Sequence, residues 1–175
     1  MDADINVRPV TEADLPAVRD LFYRSYGEEY PYKEFYNDEW LKRSIYQDSY
    51  LFLLAELNGK IVGTASVYFE VWAYADLCGE FGRLAVDPNY RGQGVGSALM
   101  KARLAFANRR LHFGLTECRT AHPYAQRISE KFDLQPIGFL PQKVLLDDRE
   151  SLVMMATPFG PARELRCNNP RGNPE

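Results

Sequence analysis

Between Pro88 and Thr116 the chain carries no aspartate or glutamate, and within that stretch stands Arg91-Gly92-Gln93-Gly94-Val95-Gly96, ahead of a run with helical spacing. Glycines let a backbone turn tightly and bring its N–H groups against a ligand with no Cβ in the way. A helix opening behind such a loop adds its unpaired first N–H groups and the positive end of its dipole. The place suits a pyrophosphate; the plainer alternative is a tight strand-to-helix turn. Arg91, Lys101, Arg103, Arg109 and Arg110 add basic character to the segment. Two phosphate-loop signatures fail here. A P-loop needs Gly-Lys-Ser/Thr, and Gly96 is followed by Ser97 with no lysine. A dinucleotide fingerprint needs Gly-x-Gly-x-x-Gly directly after a strand, which disfavours a nicotinamide oxidoreductase.

The elements that must position this loop follow from the hydrophobic pattern. Ile5 to Val10 alternates as a short strand, and Thr11 with Glu12 and Asp14 opens a helix through Tyr26 with Leu15, Val18, Leu21 and Phe22 on one face. An aromatic-rich helical stretch covers Lys33 to Tyr46. Tyr50 to Leu57 and Ile61 to Val71 form a hairpin across Asn58-Gly59. Cys78 to Val86 is a strand, and the helix after the glycines runs to about Arg110. A strand from Phe113 to Thr120, a short helix from Pro123 to Phe132 and strands at Gln135–Leu140 and Ser151–Thr157 complete an α+β domain over 1–157. Prolines and glycines then mark 158–175 as a tail or linker, with a further domain beyond Glu175 left open.

With 175 residues the chain suits one domain with a real core. Apolar residues at 46% and charged ones at 26% exclude disordered, collagenous and coiled-coil classes. No apolar run approaches the ~20 residues that span a bilayer, and the acidic start lacks a signal-peptide pattern. Three scattered cysteines make neither a disulfide framework nor a zinc knuckle, so no metal is expected and the location is read as cytoplasmic. A net charge of -3 argues against a nucleic-acid binder. From Thr11 to Tyr50 nine acids, Glu28, Glu29, Asp38 and Glu39 among them, outnumber five bases, which suits a cation.

The stretch Gly82-Arg83-Leu84-Ala85-Val86-Asp87-Pro88-Asn89-Tyr90-Arg91-Gly92-Gln93-Gly94-Val95-Gly96-Ser97-Ala98-Leu99-Met100 resembles the strand-loop-helix core of the GCN5-related N-acetyltransferases. The order of elements matches that family over residues 5 to 157. The resemblance implies a mixed central sheet flanked by helices, with acyl-CoA between two splayed strands. It implies that the backbone of Leu84, Ala85 and Val86 pairs with the pantetheine arm. Arg91, Gly92, Gln93, Gly94, Val95 and Gly96 would hold the pyrophosphate.

Acyl transfer from a thioester to an amine needs a neutral amine, a stabilised oxyanion and a protonated leaving thiolate. Glu80, four residues before Leu84 and so expected on the same face, is the first candidate for the base. The family's tyrosine acid falls at Ser129, and its Gly-Phe at Asp133-Leu134, so Tyr124 is the substitute candidate. His122 is read as a cap or a solvent group, and Cys118 as a small core residue. The expected function is acetyl or small-acyl transfer from acyl-CoA to an amine, small molecule or peptide and cationic, with a homodimer left open. The alternative is a non-catalytic acyl-CoA-binding module of a longer protein.

Overall fold

The computed structural model describes residues 4–28, 30–69, 77–146 and 148–164. In chain order the elements are β1 (Ile5–Pro9), α1 (Leu15–Tyr26), α2 (Asp38–Ile45), β2 (Tyr50–Leu57), β3 (Lys60–Tyr68), β4 (Cys78–Val86), α3 (Val95–Ala107), β5 (Phe113–Arg119), α4 (Tyr124–Lys131), β6 (Gln135–Leu145) and β7 (Arg149–Pro158). The strands form one sheet in the order β1-β2-β3-β4-β5-β7-β6. Every neighbouring pair is antiparallel except β4 with β5, which gives the mixed α+β sheet that the pattern predicts.

Strand periodicity assigns the helices to faces. On β2, Phe52 and Leu54 pack with Val18 and Phe22 of α1 and Leu41 of α2. Leu53 and Ala55 point the other way and pack with Val95 and Leu99 of α3. The hairpin turn forms at Asn58-Gly59 with φ of 52° and 72°, as a right-twisted two-residue connection requires.

Four expected boundaries move. A 3-10 turn, Glu12–Asp14, precedes α1, and the Asp14 carboxylate accepts from the Thr11 N–H at 2.8 Å and from Arg8 at 2.7 and 2.9 Å. The Arg8 hydrogen bonds, seconded by Thr11 and opposed by burial, hold Asp14 well below the usual carboxylate range. The stretch after Lys33 divides into a 3-10 turn (Lys33–Tyr36) and α2, because Asn37 accepts the Trp40 N–H at 3.0 Å and caps a fresh helix. Strand β6 runs past Leu140 to Leu145 through an irregularity where Gln142 has φ 47°. An edge strand tolerates Pro141 and shows no buried face to read from sequence. The packed domain also continues past Thr157: Phe159 is buried, 6.2 Å ring to ring from Phe81. Residues 70–76, with Val71 of the expected second hairpin strand, and 165–175 of the tail lie outside the described residues.

Candidate active site

The site begins where two parallel strands part. Strands β4 and β5 pair only at Cys78–Phe113, Gly79–Gly114 and Glu80–Leu115. One residue on, the Thr116 hydroxyl donates to the Phe81 carbonyl at 2.7 Å, taking a main-chain partner's place. Beyond it the strands diverge.

The divergence coincides with a bulge. Between Thr64 and Ser66 the β3–β4 register shifts, so Arg83 and Leu84 together oppose one residue, and Arg83 takes φ 57°. The extra residue inverts the alternation. Glu80 lies on the α1 and α2 side of the sheet, next to Tyr50. Leu84 packs on the α3 side, near Gly96. The expectation that Glu80 and Leu84 share a face is therefore overturned, because i and i+4 alternation holds only without an inserted residue.

Main-chain groups are inverted as well. Asp87 N–H donates to Val62 O at 2.9 Å, which turns residues 85 and 87 toward β3 and residues 84 and 86 into the cleft. Leu84 and Val86 thus line the cleft with backbone, whereas Ala85 spends its backbone on Thr64 and its side chain, 2% exposed, on the core.

At the open end Asp87 fixes the loop. Its buried carboxylate accepts the Asn89 N–H at 3.0 Å and Arg24 Nε at 2.9 Å. Burial opposes its ionisation, but the Asn89 N–H and Arg24 outweigh burial and lower its pKa. Gln93 donates to Asn89 O at 3.4 Å. Gly92 and Gly94 have φ of 78° and 86°, and a Cβ on Gly92 would meet no heavy atom within 4 Å. Their requirement is conformational: the space above Gly92 is open, and a Cβ on Gly94 would only touch Ile5, at 3.9 Å. Gly96 differs: a Cβ there would stand 2.7 Å from Ile128, so it lets α3 approach α4. Ala98 is the first residue to bond back into the helix, to Gly94 O at 2.9 Å, which leaves the N–H groups of Val95 to Ser97 without helical partners. Arg91 and Arg119 both act on His122 and on Tyr26, and Arg119 is itself paired with Glu150. Burial lowers the His122 pKa, and Arg119 and Arg91 lower it further.

Two of the other expected bases, Arg110 and Arg103, do not serve the loop. Arg110 stacks on Phe106 at 3.8 Å. Arg103 is 1% exposed and donates to Gly82 O at 3.2 Å and Ser66 O at 3.5 Å, carbonyls beside the bulge. It supports the distortion of β4 from beneath.

The opposite end is aromatic. Tyr30, Tyr32 and Tyr50 surround Arg83, whose guanidinium lies 3.9 Å over the Tyr32 ring and 3.0 Å from Glu80. Burial pushes the Tyr50 phenol up to about 12 and Tyr30 above its ordinary range, so both stay neutral donors. The Tyr50 hydroxyl is buried without a well-formed hydrogen bond, although Ser66 stands close enough to oppose that rise. Sequence reasoning missed Glu117. On β5 it alternates with Leu115, the partner of Glu80, and so faces the same side, paired with Lys143. A single acid inside an apolar strand was the available signal.

Tyr124 and Glu80 are not brought into contact: Tyr124 is 62% exposed and packs on His122 at 5.1 Å. Ser129 is buried 3.6 Å from the Cys118 sulfur, and burial raises the Cys118 pKa. Of the expected acidic surface, Asp38 pairs with Arg19, Glu39 with Arg43 and Glu12 with Lys42. Glu29 lies outside the described residues. Among the described residues no group of three His, Cys, Asp or Glu could hold a metal ion.

The family model for the Acetyltransferase (GNAT) family matches residues 15–133. The chain belongs to that family. An uncharacterized N-acetyltransferase of Methanocaldococcus jannaschii is 29% identical over 109 residues, 59% of this GNAT chain and about half (48%) of that relative. A Bacillus subtilis protein assigned as a ribosomal protein bS18-alanine N-acetyltransferase is 27% identical over 131 residues, 70% of this chain and 82% of the relative. The fold matches that of yncA, a Salmonella typhimurium protein assigned as an acetyltransferase and solved with acetyl-CoA, with TM-score 0.76 at 18% identity over 89% of this chain and 94% of the other.

Proposed function

We propose that this GNAT protein moves an acetyl or small acyl group from acyl-CoA to an amine by direct transfer, with no covalent enzyme intermediate. One observation carries the reading. A cleft opens where β4 leaves β5, bordered by the cleft-facing backbone of Leu84 and Val86, and it ends at a loop with two left-handed glycines and free helix N–H groups. Open space above Gly92, beside the free N–H groups that open α3, fits a pyrophosphate there. The arm would then run back along β4 toward the bulge. Glu80 and Glu117 are the carboxylates on the acceptor side, and either one collects the proton that the acceptor's ammonium must lose before its nitrogen can attack.

The acceptor is proposed to be a cationic amine on a small molecule or a peptide, because aromatic faces and two carboxylates border that end. The activity assigned to the Bacillus relative makes the α-amine of an N-terminal alanine the first acceptor to try. The ion pairs on both glutamates favour a second reading, an acyl-CoA-binding module without turnover. Calorimetric binding of acetyl-CoA followed by thiol release over an amine panel tests both. Amine-dependent release supports the transferase. Tight binding with a silent panel supports the module, and no binding removes both.

A further inference from the structure

The sulfur that leaves during acyl transfer must be protonated, and this inference rests on the acyl-transfer reading. With phosphates at Arg91 to Gly96, an extended arm along β4 brings its sulfur back past Val86 to Leu84 and the bulge. A proton donor is therefore needed at the Leu84 carbonyl. Ser129 is turned into the core against Cys118, and Tyr124 stands in solvent on α4. A third hydroxyl reaches the place from the opposite side of the cleft. Tyr26, the last residue of α1, donates from Oη to Leu84 O at 3.2 Å. Its ring is fixed by Tyr30 (4.7 Å between centroids) and Phe22 (6.3 Å). A carbonyl oxygen has two lone pairs, so this bond leaves room for a second donor from the arm.

We propose that Tyr26 is the acid that protonates the departing CoA sulfur. As the amine nitrogen bonds to the acyl carbon, the C–S bond breaks and its electron pair passes to sulfur. The phenol O–H of Tyr26 turns from Leu84 O to that sulfur and gives it its proton, and the amine's surplus proton goes to a carboxylate that has already passed the ammonium's first proton to solvent. Solvent returns a proton from the carboxylate to the phenolate before the next turnover. Burial raises the Tyr26 pKa and keeps the phenol protonated at rest, while Arg119 and Arg91 oppose that rise and stabilise the transient phenolate.

The test needs no known acceptor. The thiol of CoA bound to the protein is titrated by its thiolate ultraviolet absorbance, in the native chain and in Tyr26→Phe, with affinity measured alongside. A phenol donating to sulfur favours the thiolate, so the substitution raises the bound thiol's pKa by about one unit or more, with Kd for CoA within about threefold. With any amine that turns over, Tyr26→Phe lowers kcat by roughly ten- to a hundredfold, and KM for acetyl-CoA holds. An unchanged thiol pKa with intact CoA binding overturns the role of Tyr26 and leaves the cofactor reading standing. Tighter CoA binding by Tyr26→Phe overturns it too, by making the phenol an obstruction. Failure of the native chain to bind CoA removes the acyl-transfer reading and this proposal with it.

Discussion

The two ends of the cleft are built from different materials. At the loop end, main-chain N–H groups, two left-handed glycines and the start of α3 make a site from one continuous stretch, and side chains serve mainly as braces, as Asp87 and Gln93 do. At the bulge end, Tyr26, Tyr30, Tyr50, Glu80, Arg83 and Glu117 arrive from four elements and a connecting segment, and side chains carry the chemistry. A backbone site tolerates most substitutions and fails at its glycines. A side-chain site fails one functional group at a time.

The sharpest way to break that contrast is at the carboxylates. Glu80→Gln and Glu117→Gln are expected to separate: the proton acceptor loses roughly a hundredfold in kcat near neutral pH, and the other loses less than about threefold. The larger defect shrinks as pH rises, since an alkyl amine near its pKa of about 10 needs no base. Equal, pH-independent losses in a pH-rate profile would remove both from the mechanism.

At the loop end, Gly94→Glu puts bulk and negative charge at a left-handed position, and calorimetry is expected to show CoA affinity down more than tenfold (about 1.4 kcal/mol). Gly92→Ala meets open space, so its cost is limited to the left-handed backbone, about 1–2 kcal/mol of stability in a urea titration. If Gly94→Glu binds CoA normally while folded, the backbone site is wrong.

Away from both ends, Asp14 braces β1 to α1. Asp14→Asn leaves Arg8 and Thr11 less well paired, for a loss of about 2 kcal/mol at neutral pH. Its folded pKa is depressed, so the stabilisation is complete above the unfolded value of about 3.9 and fades as pH falls below it. Urea midpoints of native chain and variant are thus expected to converge toward pH 3 and below; a constant gap would refute the assignment. The smallest effect is that of salt. Paired acids around α2 leave little net field, so kcat/KM for a cationic amine is expected to fall by less than about threefold on going from low to physiological ionic strength. A much steeper fall would mean that the acceptor end is more acidic than its ion pairs imply.

Local chemistry determined much of this protein. The glycine loop, the Asn58-Gly59 turn and the two faces of β2 follow from rules that act within a few residues, namely φ preference, period-two alternation and helix-end N–H groups. Tertiary structure decided the rest. A bulge at Arg83 has no sequence mark, yet it inverts every later residue of β4 and so sends Leu84 and Glu80 to opposite faces. Arg103 looks like a surface base in a basic segment and is instead buried beneath that bulge. Tyr26 looks like one more helix aromatic, and only the packing of α1 over the parted strands puts its hydroxyl on Leu84. Each depends on residues dozens of positions apart meeting across the sheet, and no short-range pattern encodes such a meeting.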